Sequence, residues 1–380
     1  MVPALELADV VRDARARTGV PGVAAGLLAD GAVALAADGV LEQGRPAAVR
    51  PETPFRLASI SKPFTASLAL ACLSPDERLL RLLSHTAGLR PEVDAPLPTE
   101  AEGLFSYSNV GYWQVGAACA AACGSPFEQA MRTRVLEPLG LGATGYDEPA
   151  EPARGHVQEG ETGHRPVAED MYPAARRASG GLWSTVGDLL AFAAHQLGGP
   201  GPLPAEAREA MVEPQSQALG AGYALGWWVR EAGGRRTLDH EGSAAGYQSL
   251  LLLFPDEGLA LAVLTNSWRG SGLIRRVVED LGLGPVTPPL AAAVERASVA
   301  GRYHLDGTEA VVTATGDGLL VEETEIDPAT GAPVSRSYPA QPLADGLFGF
   351  ARGTLLSHRL DFPRPGIGRI GWVAMPRVGR

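Results

Sequence analysis

The chain has 380 residues, more than one ordinary domain holds, and 45% of them are hydrophobic, which excludes a disordered or fibrous protein. Forty-three acidic side chains against 32 basic ones leave a net charge of −11, the wrong sign for a surface that reads phosphates, so no nucleic-acid partner is expected. Cys72, Cys119 and Cys123 are too few and odd in number for a disulfide framework. Cys119 and Cys123 share a helix face without further ligands at metal spacing, so they read as small buried hydrophobes, and no metal or other cofactor is expected. The N-terminus carries no basic segment followed by an apolar one, and no apolar run spans a bilayer; a cytoplasmic location without a membrane partner is the expectation.

In chain order, residues 8–18 carry apolar positions at helical spacing, and Gly-Val-Pro-Gly at 19–22 ends that helix. Two apolar runs around Asp30-Gly31 predict a hairpin with a primed turn. From Phe64 to about Leu197 the pattern is mostly helical. Strand signals return at Tyr223–Arg230 and Arg236–His240 and continue through GYQSLLLLF, a Pro-Asp-Glu-Gly turn and LALAVLTNS, a second hairpin apolar enough for a covered sheet. Residues 271–283 predict a closing helix. Helix and hairpin at one end, strands and helix at the other, imply a mixed α/β (α+β) layer built from both ends: an antiparallel sheet flanked by helices, with a helical subdomain inserted at about 64–200. After Pro288-Pro289 short strands and turns predict a small C-terminal β domain over 290–380, separate from a main domain at 1–287.

Of the 32 basic residues 31 are arginine; the single lysine is Lys62, in LASISKPF. A GC-rich composition depletes lysine wherever arginine substitutes, and arginine cannot lose its proton. A position that needs a neutral amine resists that bias. Ser59 lies three residues before Lys62, on the same helix face, and Pro63 places both near a helix start, where backbone N–H groups favour developing negative charge. A serine hydroxyl becomes a nucleophile when a neighbouring base takes its proton. Each of these has a plainer reading, with Ser59 as a helix cap, Tyr107-Ser108-Asn109 as a turn and His240 as a polar residue at a strand end.

Taken in order, FRLASISKPFTA, Tyr107-Ser108-Asn109 and His240-Glu241-Gly242, with LLSHTAGL at 82–89 and RRASGGLWSTVGDLLAF at 176–192, resemble the serine β-lactamase and penicillin-binding-protein superfamily, in its class C-like branch. That branch includes esterases, DD-peptidases and D-aminopeptidases. The resemblance covers about residues 8–285 and implies a β-lactamase/transpeptidase-like fold and acyl transfer without a cofactor. It implies that Ser59 is the nucleophile and that Lys62 and Tyr107 share the base and acid duties. Asn109 would orient Lys62 and the substrate amide. His240 and Gly242 would edge the site, Gly242 leaving room for substrate backbone, and the N–H groups of Ser59 and Ser243 would form the oxyanion hole. A charged His240 beside Lys62 would help ionise Tyr107. His85 is expected to hold a loop, and Trp183, Trp227 and Trp228 to be core or cleft wall. Ser59 and Tyr107 are 48 positions apart, a shorter interval than the family implies. A small ester, amide or peptide is the expected substrate, of the esterase or D-amino-acid peptidase type. The alternatives are a β-lactamase or DD-carboxypeptidase, and a non-catalytic relative that binds a ligand or peptide.

Overall fold

The structure is a computed structural model that describes residues 4–159, 163–167, 172–232, 234–244, 246–284, 296, 298–326, 333–344, 347–350 and 359–379. Its elements begin with α1 (Ala4–Thr18), β1 (Gly22–Ala29), β2 (Ala32–Gly39), β3 (Phe55–Arg56), α2 (Ser61–Cys72), α3 (Glu77–Leu83), α4 (Asn109–Cys123) and α5 (Phe127–Met131). Next come β4 (His156–Glu159), β5 (Gly163–Pro166), α6 (Arg177–Gly180), β6 (Trp183–Ser184), α7 (Val186–Gln196), α8 (Ala205–Val212), β7 (Ser216–Ala218) and β8 (Ala221–Tyr223). Then follow β9 (Trp228–Ala232), β10 (Arg235–Ala244), β11 (Tyr247–Phe254), β12 (Leu259–Thr265) and α9 (Gly270–Asp280). The last eight strands are β13 (Gly301–Leu305), β14 (Thr308–Ala314), β15 (Leu319–Ile326), β16 (Pro333–Ala344), β17 (Leu347–Phe350), β18 (Arg359–Arg364), β19 (Ile367–Ile370) and β20 (Val373–Gly379). The chain divides into two compact units: Met1–Leu83, Tyr112–Pro214 and Ala224–Pro285 form the first; Ser84–Gly111, Gln215–Tyr223 and Val286–Arg380 form the second. The expected boundary at Pro288-Pro289 lies outside the described residues.

In the first unit α1 buries Leu7, Val11 and Ala14 along one stripe, with Arg15 and Arg17 in its last turn, where the helix dipole favours cations. Gly19, at φ +69°, ends it. Asp30 and Gly31 both take left-handed φ, 52° and 75°, the primed turn that suits the right-handed twist of β1 and β2. The strands of this unit run β2-β1-β12-β11-β10-β9. β1 and β12 pair antiparallel from Val23↔Thr265 to Leu28↔Ala260, so strands from both ends of the first unit share one sheet. β1, β11 and β12 are buried on successive residues, and alternating side chains therefore meet cover on both faces. α1 and α9 touch each other and the sheet, and α7 contacts β1 and β12. Phe64 of α2 stacks on Phe192 of α7 with centroids 3.8 Å apart, and the Trp227 ring lies nearly parallel to that of Phe192 at 6.3 Å.

Two features depart from expectation. β4 and β5 form a hairpin inside a stretch read as helical. It is specified by tertiary bonds, since buried His156 accepts from Gln43 N–H and bonds the Asn266 carbonyl. Cys119 is buried as expected, but the three thiols converge: hydrogen bonding from Cys119 draws Cys72 down to about 7, while the same bond and burial push Cys119 up.

In the second unit β13 to β20 form a closed antiparallel barrel, β20 pairing back to β13. Closure removes the exposed strand edges that a small open sheet would carry. Tyr303, Val312, Val321, Phe348, Leu360 and Ile370 fill its core, joined by Leu97 and Ala101 from the 84–111 segment. The β7–β8 hairpin is tied in as well, Arg359 donating to the Leu219 carbonyl at 3.1 Å and Arg369 to the Gln217 carbonyl at 3.0 Å. Among the described residues no helix is long and apolar enough to cross a membrane.

Most ion pairs here are exposed and contribute little to stability. Arg230 and Asp239 are different: they meet at 2.8 Å with side chains 4% and 1% exposed. Removing one partner strands a charge in the interior. Asp239→Ala is therefore expected to cost about 3–5 kcal/mol in urea unfolding, whereas Arg236→Ala at the surface end of the strand costs far less. A loss below about 1 kcal/mol for Asp239→Ala would show that the pair behaves like a surface pair.

Candidate active site

Ser59 is the middle residue of one 3-10 turn, Ala58–Ile60, that runs directly into α2. Ala58 takes φ +49°, a conformation that costs a non-glycine residue free energy and that turns the chain sharply just before Ser59. Lys62, one turn along, is wholly buried, while Ser59 is half-buried. The Lys62 amine donates to Ser59 Oγ at 3.1 Å and to the Ser179 carbonyl at 2.8 Å, and lies 5.4 Å from the Tyr112 ring centroid. The Ser-x-x-Lys spacing thus brings the amine within hydrogen-bond distance of the hydroxyl.

The segment 178–183 grips this turn from the side. The carbonyl of Ala178 accepts from Thr65 Oγ1 at 2.7 Å, and Leu182 N–H donates to Ser61 Oγ at 3.1 Å. Leu57 N–H donates to the Leu182 carbonyl at 2.9 Å. Buried Arg56 donates to the Gly181 carbonyl at 2.7 Å and lies 4.3 Å above the Trp183 ring. Ser179 itself is held by Trp113 Nε1, which donates to its hydroxyl at 2.9 Å. Sequence reasoning assigned Ser179 no role, because it acts through a backbone carbonyl and any residue type supplies one.

On the sheet side, Ser249 Oγ donates to the Leu57 carbonyl at 2.9 Å, tying the turn to β11. Gly242 on β10 comes close to the Ser59 turn: a Cβ there would lie 2.0 Å from the Leu57 carbonyl and 2.1 Å from Ser249 Oγ, so the glycine makes room for the chain's own Ala58–Ile60 turn. Ser243 is exposed at the end of β10, its hydroxyl accepting from Gln248.

His240, on the same strand, is wholly buried. Burial, and then the charge of Lys62, lower its pKa to about 3, against a bond to the Glu241 carbonyl that raises it. The ring is neutral at ordinary pH, with Nδ1–H donating to that carbonyl at 2.7 Å.

Tyr107 and Asn109 belong to the second unit. Tyr107 is buried; its N–H donates to the Trp372 carbonyl at 3.0 Å and its ring lies 4.2 Å from that of His85. His85 holds the loop, as expected: its carbonyl takes Ser106 N–H at 2.9 Å and its Nδ1 takes Ser108 N–H at 3.0 Å. Asn109 opens α4, with its N–H on the Pro91 carbonyl and its amide donating to Glu92. Trp183, Trp227 and Trp228 are core residues, at most 3% exposed.

A Beta-lactamase family profile matches residues 7–281. The chain belongs to the Beta-lactamase family. Penicillin-binding protein 4 of Amycolatopsis lactamdurans is 24% identical over 76% of this chain and 94% of its own length. The crystal structure of SurE is similar over 99% of both chains, with 25% identity and a TM-score of 0.76, and that of SurE with D-Leu at 26% and 0.71. D-amino acid amidase from Ochrobactrum anthropi shares the fold over 73% of this chain and 98% of its own, with a TM-score of 0.63 at 22% identity. The chain is thus a β-lactamase-related serine hydrolase with the fold of that superfamily.

Two measurements check this geometry. Gly242→Ala is expected to push Leu57 and the nucleophile turn aside and slow covalent labelling of Ser59 by at least about tenfold, with the far-UV spectrum unchanged; labelling at the parent rate would show that the close approach is unimportant. His240 titrates near 6.5 in the unfolded chain and at about 3 in the folded one. Acid therefore protonates the unfolded state first: the stability owed to neutral His240 is complete above about pH 6.5 and is lost as pH falls from there toward 3. Between pH 7 and 4 the melting temperature of His240→Asn is expected to fall less steeply than that of the parent; equal slopes would mean that the native ring takes up a proton as readily as the unfolded one.

Proposed function

We propose that the protein hydrolyses a small ester or amide without a free carboxylate, of the D-amino-acid derivative class, through an acyl-enzyme on Ser59. The observation that carries this reading is the 3.1 Å contact from a fully buried Lys62 amine to Ser59 Oγ. Ser59 Oγ attacks the substrate carbonyl carbon while its proton passes to Lys62 in the neutral form. The N–H groups of Ser59 and Ser243 receive the developing oxyanion. As the tetrahedral centre collapses, the alcohol or amine departs with a proton delivered by Tyr107, leaving an ester on Ser59. Water then attacks that ester, giving its proton to the same Lys62–Tyr107 pair, and the acid leaves with Ser59 restored. Asn109 orients Lys62 and the substrate amide.

Two considerations favour this substrate class. A neutral His240 leaves a substrate carboxylate without a fixed cation, which disfavours penicillins and C-terminal carboxylate peptides relative to neutral esters and amides. The structure of SurE with D-Leu is that of a chain similar to this one along 99% of its length, and supports a D-amino-acid moiety on the acyl side.

The test is covalent labelling read by intact mass. A fluorophosphonate is expected to add once to the parent and not to Ser59→Ala. Lys62→Arg is expected to lower turnover of nitrophenyl esters or D-alanyl anilides by a factor of about 10². Near-parent rates in Lys62→Arg would sink the neutral-amine role, and an unlabelled parent would point to a binding protein. Preferential turnover of a chromogenic cephalosporin over D-alanyl anilides would replace the amide reading with that of a β-lactamase.

A further inference from the structure

We propose that Trp372, in the barrel, is the positioning residue for Tyr107. The proposal rests on the reading of Tyr107 as the acid–base partner of Ser59. Three consecutive N–H groups of the Tyr107 loop find acceptors outside it. Those of Ser106 and Ser108 go to His85, and the one between them, that of Tyr107, goes to the Trp372 carbonyl. Bonds on both sides of Tyr107 thus leave its own N–H to the barrel.

Trp372 contributes a side-chain contact as well. Its ring lies 5.3 Å from that of Tyr107 at 45°, a tilted aromatic pair. Two residues on, Ala374 N–H donates to Ser106 Oγ at 3.2 Å, so the strand leaving the turn repeats the attachment. The rest of the segment is seated in the same way: Leu97 and Ala101 lie in the barrel's core cluster, and Arg364 donates to the carbonyls of Glu100 and Glu102 at 3.3 and 3.1 Å.

The turn itself points to function. Gly371 and Trp372 link β19 to β20 as a two-residue turn between the paired residues Ile370 and Val373, with φ of 57° and 79°. Such a turn favours Asn-Gly, and a bulky residue held at φ +79° is strained. Strain of this kind persists where the residue does something that a better turn residue would not. A tryptophan whose work was only to connect two strands would be replaced by glycine or asparagine without loss. Here its carbonyl and ring both engage Tyr107.

The two roles separate in Trp372→Gly, which relieves the turn while removing the ring. In the full chain, Trp372→Gly is expected to melt no lower than the parent yet to label with fluorophosphonate about 10 to 100 times more slowly, the range for displacing a reacting group by about 1 Å. The ester kcat falls with little change in KM, and Trp372→Phe restores the rate to within about threefold. The Cζ resonance of Tyr107, followed in tyrosine-labelled protein and assigned by Tyr107→Phe, is expected to shift in Trp372→Gly and return toward the parent in Trp372→Phe. An unmoved resonance in Trp372→Gly, or a parent labelling rate, overturns the positioning role. A Trp372→Gly variant that no longer folds overturns it in favour of a purely structural tryptophan. An unlabelled parent whose resonance still shifts in Trp372→Gly sinks the hydrolase reading and leaves the positioning contact standing.

Discussion

The contact on which the rest depends is the one between the buried Lys62 amine, Ser59 Oγ and the Ser179 carbonyl. An ammonium in a fully buried position keeps little of its hydration, so the bonds around it must be supplied by the protein. Two of them are in place, one to the group whose proton it would take and one to a fixed backbone dipole. A carbonyl can accept from the amine in either protonation state, because both forms carry N–H. Ser179 therefore holds Lys62 on Ser59 without favouring either protonation state by a full charge, as a carboxylate would.

That arrangement explains why the surrounding chain is bonded so densely. Leu57, Ser61, Lys62 and Thr65 each bond a backbone group between Ala178 and Leu182, and Arg56 bonds one more. From the other side, β10 approaches so closely at Gly242 that no Cβ fits, and Ser249 takes the Leu57 carbonyl. The Ala58–Ile60 turn is thus fixed from two directions. At His240 burial first, and the charge of Lys62 second, lower the pKa of the ring.

Much of this was legible in the sequence where the signal was local. The Asp30-Gly31 turn, the apolar β11 and β12 and the closing helix α9 follow from periodicity and turn chemistry, and each formed near its expected bounds. Ser59 and Lys62 share a helix face because three residues make nearly one turn. What was not legible is carried by backbone or by distance along the chain. Ser179 acts through its carbonyl. The neutrality of His240 depends on burial that its own residue type does not imply. Leu97 and Ala101 join a core whose other members begin at Tyr303, and no local pattern relates segments so far apart. The β4–β5 hairpin is polar and short, and its specification comes from His156 reaching Gln43 and Asn266.

Backbone strain gives one more line of argument. Among the described residues six that are not glycine take positive φ: Asp30, Ala58, His85, Leu219, Asp306 and Trp372. The two aspartates each precede a glycine in a tight turn between paired strands, where aspartate tolerates this conformation. Of the remaining four, Ala58 precedes Ser59, while His85 and Trp372 receive the three successive N–H groups around Tyr107. Each left-handed residue costs on the order of 1 kcal/mol or more and persists only where its surroundings over-determine it. Three such residues adjoin the two groups read as nucleophile and acid–base partner, in separate units and on three unrelated stretches of chain. Glycine or asparagine at these positions would relieve the strain, and under the proposed reading the conformations set the direction of the two side chains.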